Sequence, residues 1–136
     1  MAWVSLTNEF SYYPLILYFG AIFWTLGYDT IYGYQDITDD EIIGVKSTSI
    51  KFKDNPRKFL FICYSITIIF YLFLGQLMNV NNFFYLGSFL MIFHLFFYQI
   101  KNFNLSNTSQ CLKIFKSNNL FGFIVLLSII FGKMNI

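Results

Sequence analysis

Acidic residues are concentrated in one short stretch of this chain. Five of the seven Asp and Glu residues in the 136-residue sequence lie between positions 29 and 41. If the stretch is helical, Asp36 and Asp40 are one turn apart, with their Cβ atoms about 5–6 Å from each other. Two carboxylates at that distance repel each other unless a cation lies between them, and oxygen ligands with this spacing suit Mg²⁺ shared with a phosphate. The pair therefore predicts a metal site for a phosphorylated ligand.

The acidic stretch follows a long apolar run at about 12–28, which we interpret as a membrane helix. This apolar run indicates which class of ligand could bind beside the acidic residues. If the helix of that run continues past the lipid boundary, four residues form one stripe on its surface at i, i+3, i+7 and i+11: Asp29, Tyr32, Asp36 and Asp40. An Asp-rich helix end beside an apolar cavity suggests an isoprenoid diphosphate. The alternative is a solvated loop that only caps the membrane helix, as most charge runs do.

A basic segment follows the acidic one, with the sequence GVKST at positions 44–48. Gly44 permits close approach of the backbone to a ligand, Lys46 offers a positive charge for phosphate oxygens, and Ser47 and Thr48 offer hydroxyl groups. The Gly-x-x-x-x-Gly-Lys spacing of a nucleotide P-loop is absent. The alternative is a membrane-surface loop, which leaves the Gly-x-Lys-Ser pattern unexplained but accounts for the other basic residues here: Lys51, Lys53, Arg57 and Lys58.

The composition indicates that membrane helices position these residues. Hydrophobic residues make up 57% of the chain and charged residues 12%, and the mean hydropathy is +0.57. A small soluble domain cannot remove that much apolar surface from water. At about 20 residues per span, the apolar runs predict an all-α membrane protein with about four transmembrane helices. We place the spans at about 12–28, 59–78, 83–100 and 118–133, with a motif loop over 29–58.

The charge distribution indicates the orientation and excludes one class of partner. Eight of the nine Lys and Arg residues lie in the two long loops that follow the first and third predicted spans. The positive-inside rule therefore places both loops in the cytoplasm. A net charge of +2, with aromatic residues massed in apolar runs, argues against nucleic-acid binding. Cys63 and Cys111 have no CxxC spacing and predict neither a disulfide framework nor a metal site.

Four polar or amphipathic side chains lie in or near the predicted spans. We interpret His94 as a hydrogen-bonded intramembrane histidine in preference to a catalytic base. Trp24 is interpreted as an interfacial anchor in preference to a ligand contact. Gln99 and Asn118 are candidates for hydrogen bonds between helices.

The acidic stretch and the basic segment together resemble a sequence motif of a known protein family. The sequences YDTIYGYQDITDD at 28–40 and IGVKST at 43–48 are similar to the second Asp-rich motif of the UbiA-type intramembrane prenyltransferases. Within that superfamily the resemblance is closest to the 4-hydroxybenzoate polyprenyltransferases of ubiquinone biosynthesis. The resemblance covers the whole chain, but the first motif of these enzymes, NDxxDxxxD, does not occur in it. We therefore expect a partial prenyltransferase domain over 1–136, equivalent to the C-terminal half of the UbiA-type helical bundle and inactive without the missing N-terminal half.

The resemblance also implies a reaction and roles for individual residues. A polyprenyl group passes from polyprenyl diphosphate to 4-hydroxybenzoate, with Mg²⁺ as the cofactor, in a bacterial inner membrane or the mitochondrial inner membrane. Asp36 and Asp40 are assigned to the metal and Lys46 to the diphosphate. Asp29 and Tyr32 are assigned to the aromatic-substrate side of the cavity.

Two alternatives remain at the sequence level. A related UbiA-type enzyme with another acceptor would keep the same fold and Asp motif. A small non-enzymatic four-helix membrane protein would instead distribute polar residues through its spans, whereas here polar residues are concentrated at one mouth of the bundle. This concentration favours the enzyme.

Overall fold

The computed structural model describes residues 2–134. Over this range the chain is helical, and it forms no strand. Eight α-helices occur in the order α1 (Ala2–Thr7), α2 (Tyr13–Gly33), α3 (Ile37–Ile43), α4 (Thr48–Lys51), α5 (Pro56–Leu77), α6 (Asn82–Ile92), α7 (Thr108–Lys116) and α8 (Asn118–Lys133), and a π-helical segment, Phe93–Ile100, continues α6.

Within the described range, four helical stretches are long and apolar enough to cross a membrane. They are α2, α5, α6 with its π-helical continuation, and α7 with α8. The prediction of an all-α protein with four such helices is confirmed. Short helices α3 and α4 lie between the first two stretches, in the segment that carries the acidic and basic motifs.

Local sequence signals set where the long helices begin. Proline occupies the first turn of both α2 and α5, where its missing N–H costs no hydrogen bond. Asn81 caps α6, because its side-chain oxygen accepts a hydrogen bond from Phe83 N at 3.0 Å. Asn107 caps α7 in the same way, from Gln110 N at 3.0 Å. Each cap satisfies a backbone donor at a helix start.

The π-helical segment aligns two polar side chains that an α-helix would separate. A π-helix repeats its hydrogen bonds at i→i+5, so His94 and Gln99, which are five residues apart, lie on similar faces. Both side chains are buried. His94 Nε2 lies 3.3 Å from Ser117 Oγ, and Gln99 Nε2 donates to Asn118 Oδ1 at 2.9 Å. The segment thus matches two polar groups to neighbouring partners at the junction of α7 and α8.

Glycines allow the long helices to approach closely. A Cβ atom at Gly27 on α2 would overlap the ring of Tyr64 on α5, and one at Gly87 on α6 would overlap Ser128 on α8. Small residues at helix contacts are typical of membrane bundles, in which packing replaces the hydrophobic driving force. The helix pairs α2–α5 and α6–α8 are the most extensive contacts of the bundle.

One cluster of side chains joins all four long stretches, and we call it the buried polar cluster: Trp24, Tyr64, Gln99 and Asn118. Trp24 Nε1 and Gln99 Nε2 both donate to Asn118 Oδ1, at 2.8 and 2.9 Å. The Tyr64 hydroxyl donates to Gln99 Oε1. These bonds agree with the interpretation of Gln99 and Asn118, but the interpretation of Trp24 as an interfacial anchor is wrong, since its indole is bonded inside the bundle.

Hydrogen bonds from basic side chains near helix ends mark the two ends of the bundle. At one end, which we call the loop end, Arg57 Nη2 in the first turn of α5 donates at 3.0 Å to the carbonyl of Phe103, in the loop before α7. At the other end Lys133 Nζ donates to the carbonyl of Met78 at 2.7 Å. The motif loop, 29–58, therefore lies at the end where most of the basic residues occur.

Candidate active site

The candidate site begins on the last turns of α2. Asp29 and Tyr32 both lie there, and both side chains are exposed. Helix α2 ends at Gly33, and the backbone of Tyr34 and Gln35 forms a turn before α3 begins. The predicted single stripe from Asp29 to Asp40 is therefore wrong, because the helix does not continue through position 36.

Asp36 and Asp40 nevertheless remain one helical turn apart. Asp36 is the N-cap residue of α3, and the backbone N–H of Asp40 donates to the carbonyl of Asp36 at 2.9 Å. Asp36 is exposed and Asp40 is half-buried. Their position at the start of α3 favours negative charge, since the helix dipole is positive there.

Neither of these two carboxylates forms a hydrogen bond or ion pair within residues 2–134. Both are therefore available to an external ligand. Mg²⁺ is commonly held by one or two carboxylates together with substrate phosphates and water, so this donor set fits the ion. The described residues contain no group of three or more His, Cys, Asp or Glu side chains that could hold a metal by themselves.

Gly44 ends α3 for a conformational reason. Its φ is +79°, in the left-handed region, which glycine adopts without a steric penalty. A Cβ atom at this position would meet nothing within 4 Å. Its role in the fold is thus to turn the chain from α3 toward Lys46, and crowding does not require a glycine here.

Helix α4 is docked onto the end of α2 by hydroxyl groups. Thr48 Oγ1 and Thr30 Oγ1 lie 2.7 Å apart, and Ser49 Oγ donates to the carbonyl of Thr30 at 3.0 Å. Thr30 is in the last turn of α2, where carbonyl groups lack partners within the helix. Gly33 permits the docking, because a Cβ atom there would overlap Ser49 Oγ.

This docking fixes the segment that carries Lys46. Lys46 is exposed and lines an open groove with Val45, Ile50 and Lys51. Ser47 caps α4, with its Oγ accepting from Ile50 N at 3.3 Å. The hydroxyls of Ser47 and Thr48, which the sequence offered as ligand contacts, are therefore engaged in holding α4, and the lysine is the free polar group of this pattern.

An ion pair between Lys53 and Glu41 connects α3 to the residues that follow α4. Lys53 Nζ donates to Glu41 Oε1 at 2.6 Å, and this hydrogen bond raises the pKa of Lys53 above its ordinary value. Glu41 is thus occupied by a lysine, whereas Asp36 and Asp40 are not.

An apolar chamber of about 220 Å³ lies among α2, α5, α6 and α8. Leu17, Trp24, Met91, Phe121 and Val125 form part of its wall. The polar side chains at its edge are engaged elsewhere: Thr67 Oγ1 donates to the carbonyls of Gly20 and Cys63, and Tyr71 is hydrogen-bonded to Ser128. An apolar cavity with satisfied polar neighbours excludes water and accepts apolar ligands.

A row of aromatic rings connects this chamber to the exposed end of α2. Trp24 contacts Phe121 at 4.7 Å and Tyr28 at 5.2 Å between ring centroids. Tyr28 and Tyr32 contact Phe115 on α7 at 5.7 and 4.7 Å. The structure therefore brings Tyr32 to the end of an aromatic path that starts at the apolar chamber.

Sequence reasoning missed the contacts that assemble this site. Thr30, Thr48 and Ser49 are the residues that dock α4, and the run of hydroxyl residues in the motif was the available signal. The pairing of Trp24 with Asn118 joins positions 94 residues apart. No spacing rule in a single sequence connects residues at that separation.

Comparison with known proteins gives the family. The profile of the UbiA prenyltransferase family matches residues 1–127. A mitochondrial 4-hydroxybenzoate polyprenyltransferase of Dictyostelium discoideum is 41% identical over 118 residues, which are 87% of this chain and 25% of the relative. A 4-hydroxybenzoate octaprenyltransferase of Marinobacter nauticus is 33% identical over 129 residues, which are 95% of this chain and 44% of the relative.

A mammalian relative gives the same result. The mitochondrial 4-hydroxybenzoate polyprenyltransferase of Bos taurus is 33% identical over 120 residues, which are 88% of this chain and 32% of the relative. This chain thus spans less than half the length of each of these curated relatives. No solved structure matches it. The family match over most of the sequence and the four apolar helices lead to one conclusion: the chain is a multi-pass membrane protein that belongs to the UbiA prenyltransferase family.

Proposed function

We propose that this chain forms the diphosphate-binding part of an aromatic prenyltransferase, which moves a polyprenyl group from polyprenyl diphosphate to a ring carbon of 4-hydroxybenzoate. One observation carries the proposal: Ser49 and Thr48 dock α4 against Thr30 at the end of α2. This docking holds the Lys46 segment near the segment of the unpaired Asp36 and Asp40. Positive and negative groups for a metal–diphosphate complex are then held by one short motif.

Asp36 and Asp40 are the residues that would hold Mg²⁺ in this proposal. When bound, Mg²⁺ would neutralise charge on the departing diphosphate. Lys46 would add a positive charge for diphosphate oxygens, and its exposure at the groove leaves it free to do so. Because both carboxylates lack partners in the described chain, metal binding would break no existing bond.

The apolar chamber and the aromatic row would receive the isoprenoid chain. Their walls exclude water, which would otherwise capture an allylic cation. Aromatic faces also stabilise nearby positive charge. Tyr32, which contacts Phe115, and Asp29 on the same exposed end of α2 would lie on the side of the aromatic acceptor.

The reaction breaks one carbon–oxygen bond and forms one carbon–carbon bond. The electron pair of the broken bond leaves with diphosphate, and the allylic carbon is attacked by the ring carbon meta to the carboxylate of 4-hydroxybenzoate. The ring carbon then loses its proton, which the released diphosphate can accept, and the ring regains its aromaticity. The residues named here bind and orient the reactants, and the dry aromatic path protects the cation.

The proposed site needs a further protein segment as a partner, and the enzyme needs a membrane. Two carboxylates are few ligands for a diphosphate that carries about three negative charges, so we infer that an N-terminal half with a further Asp motif completes the site. The enzyme would lie among membrane lipids in a bacterial inner membrane or the mitochondrial inner membrane. We expect the chain alone to be catalytically inactive.

A chimera tests the proposal. The chain replaces the matching region of the Marinobacter nauticus relative, and prenyl transfer to 4-hydroxybenzoate is measured in membranes. We expect turnover, and a loss of at least about 100-fold for Asp36→Asn or Asp40→Asn, since each removes a metal carboxylate. Asp54→Asn removes the same charge from the exposed end of the loop and serves as the control. Near-normal turnover in both Asp36→Asn and Asp40→Asn would show that these acids are ordinary solvated residues.

A further inference from the structure

The amide of Asn118 is fully engaged inside the bundle. Its Oδ1 accepts from Trp24 Nε1 at 2.8 Å and from Gln99 Nε2 at 2.9 Å. Its Nδ2 donates to the carbonyls of Ile114 at 3.3 Å and Phe115 at 3.0 Å. A side-chain amide has two acceptor positions and two donors, so all four are used and the orientation of the group is fixed.

The partner of this amide, Trp24, belongs to the wall of the apolar chamber. Its ring packs against Phe121, with 4.7 Å between centroids. A Cβ atom built at Gly122 would lie 3.7 Å from Trp24 Cη2, so the benzene edge of the indole lies beside this glycine. The polar edge of the indole is therefore bonded to Asn118 while its apolar part faces the chamber.

We propose that Asn118 is a positioning residue that acts through Trp24: it fixes the indole so that its face forms the end of the chamber against which an isoprenoid chain binds. The inference rests on the proposed function for the identity of the ligand. Gln99 and Tyr64 support the same geometry, because each is hydrogen-bonded in series behind Asn118. Tryptophan is suited to this place, since phenylalanine has no N–H to donate.

The competing explanation is that the buried polar cluster only holds the helices together. A second buried hydrogen bond in the same bundle allows the two explanations to be compared. Tyr71 on α5 and Ser128 on α8 also form a buried hydrogen bond between helices, and Tyr71 lines the same chamber. This bond does not involve Trp24. If buried polar bonds act only by joining helices, then breaking either one should have the same consequences.

Fluorescence of Trp24 gives the test. The chain has two tryptophans, so Trp3→Phe leaves Trp24 as the only one, and the full chain is studied in lipid nanodiscs. The uncharged probe is farnesol, and farnesyl diphosphate with Mg²⁺ is tested in parallel. We expect farnesol to change the Trp24 emission in a saturable manner. No change at ligand saturation would overturn the proposal.

Variants then separate positioning from helix pairing. In Asn118→Leu we expect faster depolarisation of Trp24 emission and at least fivefold weaker farnesol binding. Asn119→Leu changes the exposed neighbour and Ser128→Ala breaks the other buried bond, and both should leave the depolarisation unchanged. Equal effects of Ser128→Ala and Asn118→Leu would overturn the proposal, and so would no effect of Asn118→Leu.

One measurement does not depend on whether Asn118→Leu folds. In the Trp3→Phe chain, the indole N–H band in ultraviolet resonance Raman spectra should report a hydrogen-bonded indole, and a band typical of a free indole N–H would contradict the assignment. The two ligands separate the two proposals. Farnesol binding to the chain, with no Mg²⁺-dependent gain for farnesyl diphosphate in the chimera, would count against the diphosphate site and leave the Trp24 inference intact.

Discussion

Replacement of Gly33 by alanine should weaken the docking of α4. A Cβ atom at this position would overlap Ser49 Oγ. At the least, Ser49 must rotate and lose its hydrogen bond to the Thr30 carbonyl. If α4 moves instead, the bond between Thr30 and Thr48 is lost as well.

The size of the effect follows from these bonds. A neutral hydrogen bond contributes about 0.5–1.5 kcal/mol, so one or two lost bonds amount to about 1–2 kcal/mol. That corresponds to roughly a five- to thirtyfold weaker docking equilibrium. Alanine is the better helix former by about 1 kcal/mol, so α2 itself should not unfold.

Hydrogen exchange over residues 44–53, followed by mass spectrometry, measures the docking. In Gly33→Ala we expect roughly five- to thirtyfold faster exchange over these residues. In the chimera we expect this variant to bind farnesyl diphosphate more weakly in the presence of Mg²⁺. Gly122→Ala is the control for the exchange measurement alone, because Gly122 belongs to the chamber wall and its Cβ atom would meet only Trp24 Cη2 at 3.7 Å, an ordinary contact distance. The double variant Gly33→Ala/Ser49→Ala removes the overlapping oxygen and should not exchange faster than Gly33→Ala. Unchanged exchange in the single variant would refute the docking argument.

Three further predictions concern two buried tyrosines and the orientation of the chain in the membrane. The Tyr34 hydroxyl is buried without a hydrogen-bond partner in the described chain, and burial raises its pKa to about 12. Tyr34→Phe should therefore maintain or raise thermal stability. Tyr64→Phe leaves Gln99 Oε1 without the Tyr64 hydroxyl as its donor, so this variant should destabilise the fold by about 1–3 kcal/mol. Lys51→Cys should react with a membrane-impermeant thiol reagent only from the cytoplasmic side, and labelling from the opposite side alone would reverse the orientation.

The helical content was predictable because long apolar runs have few alternatives in lipid. Backbone groups in a membrane must be paired internally, so a run such as 59–78 predicts a helix with little dependence on its neighbours. The pairing of Asp36 with Asp40 also depends only on local spacing. Both features are properties of short segments, which a single sequence contains in full.

The end of α2 was not predictable in the same way. The periodicity of the acidic residues suggested one continuous helix, but the chain turns after Gly33. That glycine gives Ser49 room to dock, which is a contact with a later segment and leaves no trace in the local pattern. Trp24 was misinterpreted for a related reason, since its partner Asn118 comes from the far end of the chain.

In the proposed function, Asp36 and Asp40 hold the metal that binds the diphosphate. The most direct test is a titration of Mg²⁺ against farnesyl diphosphate binding in the chimera, with binding followed by isothermal calorimetry. We predict that Asp36→Asn and Asp40→Asn each raise the Mg²⁺ concentration for half-maximal binding by at least about tenfold, while Asp54→Asn leaves it unchanged. The same half-maximal Mg²⁺ concentration in the parent chimera, Asp36→Asn and Asp40→Asn would show that these two carboxylates do not hold the metal.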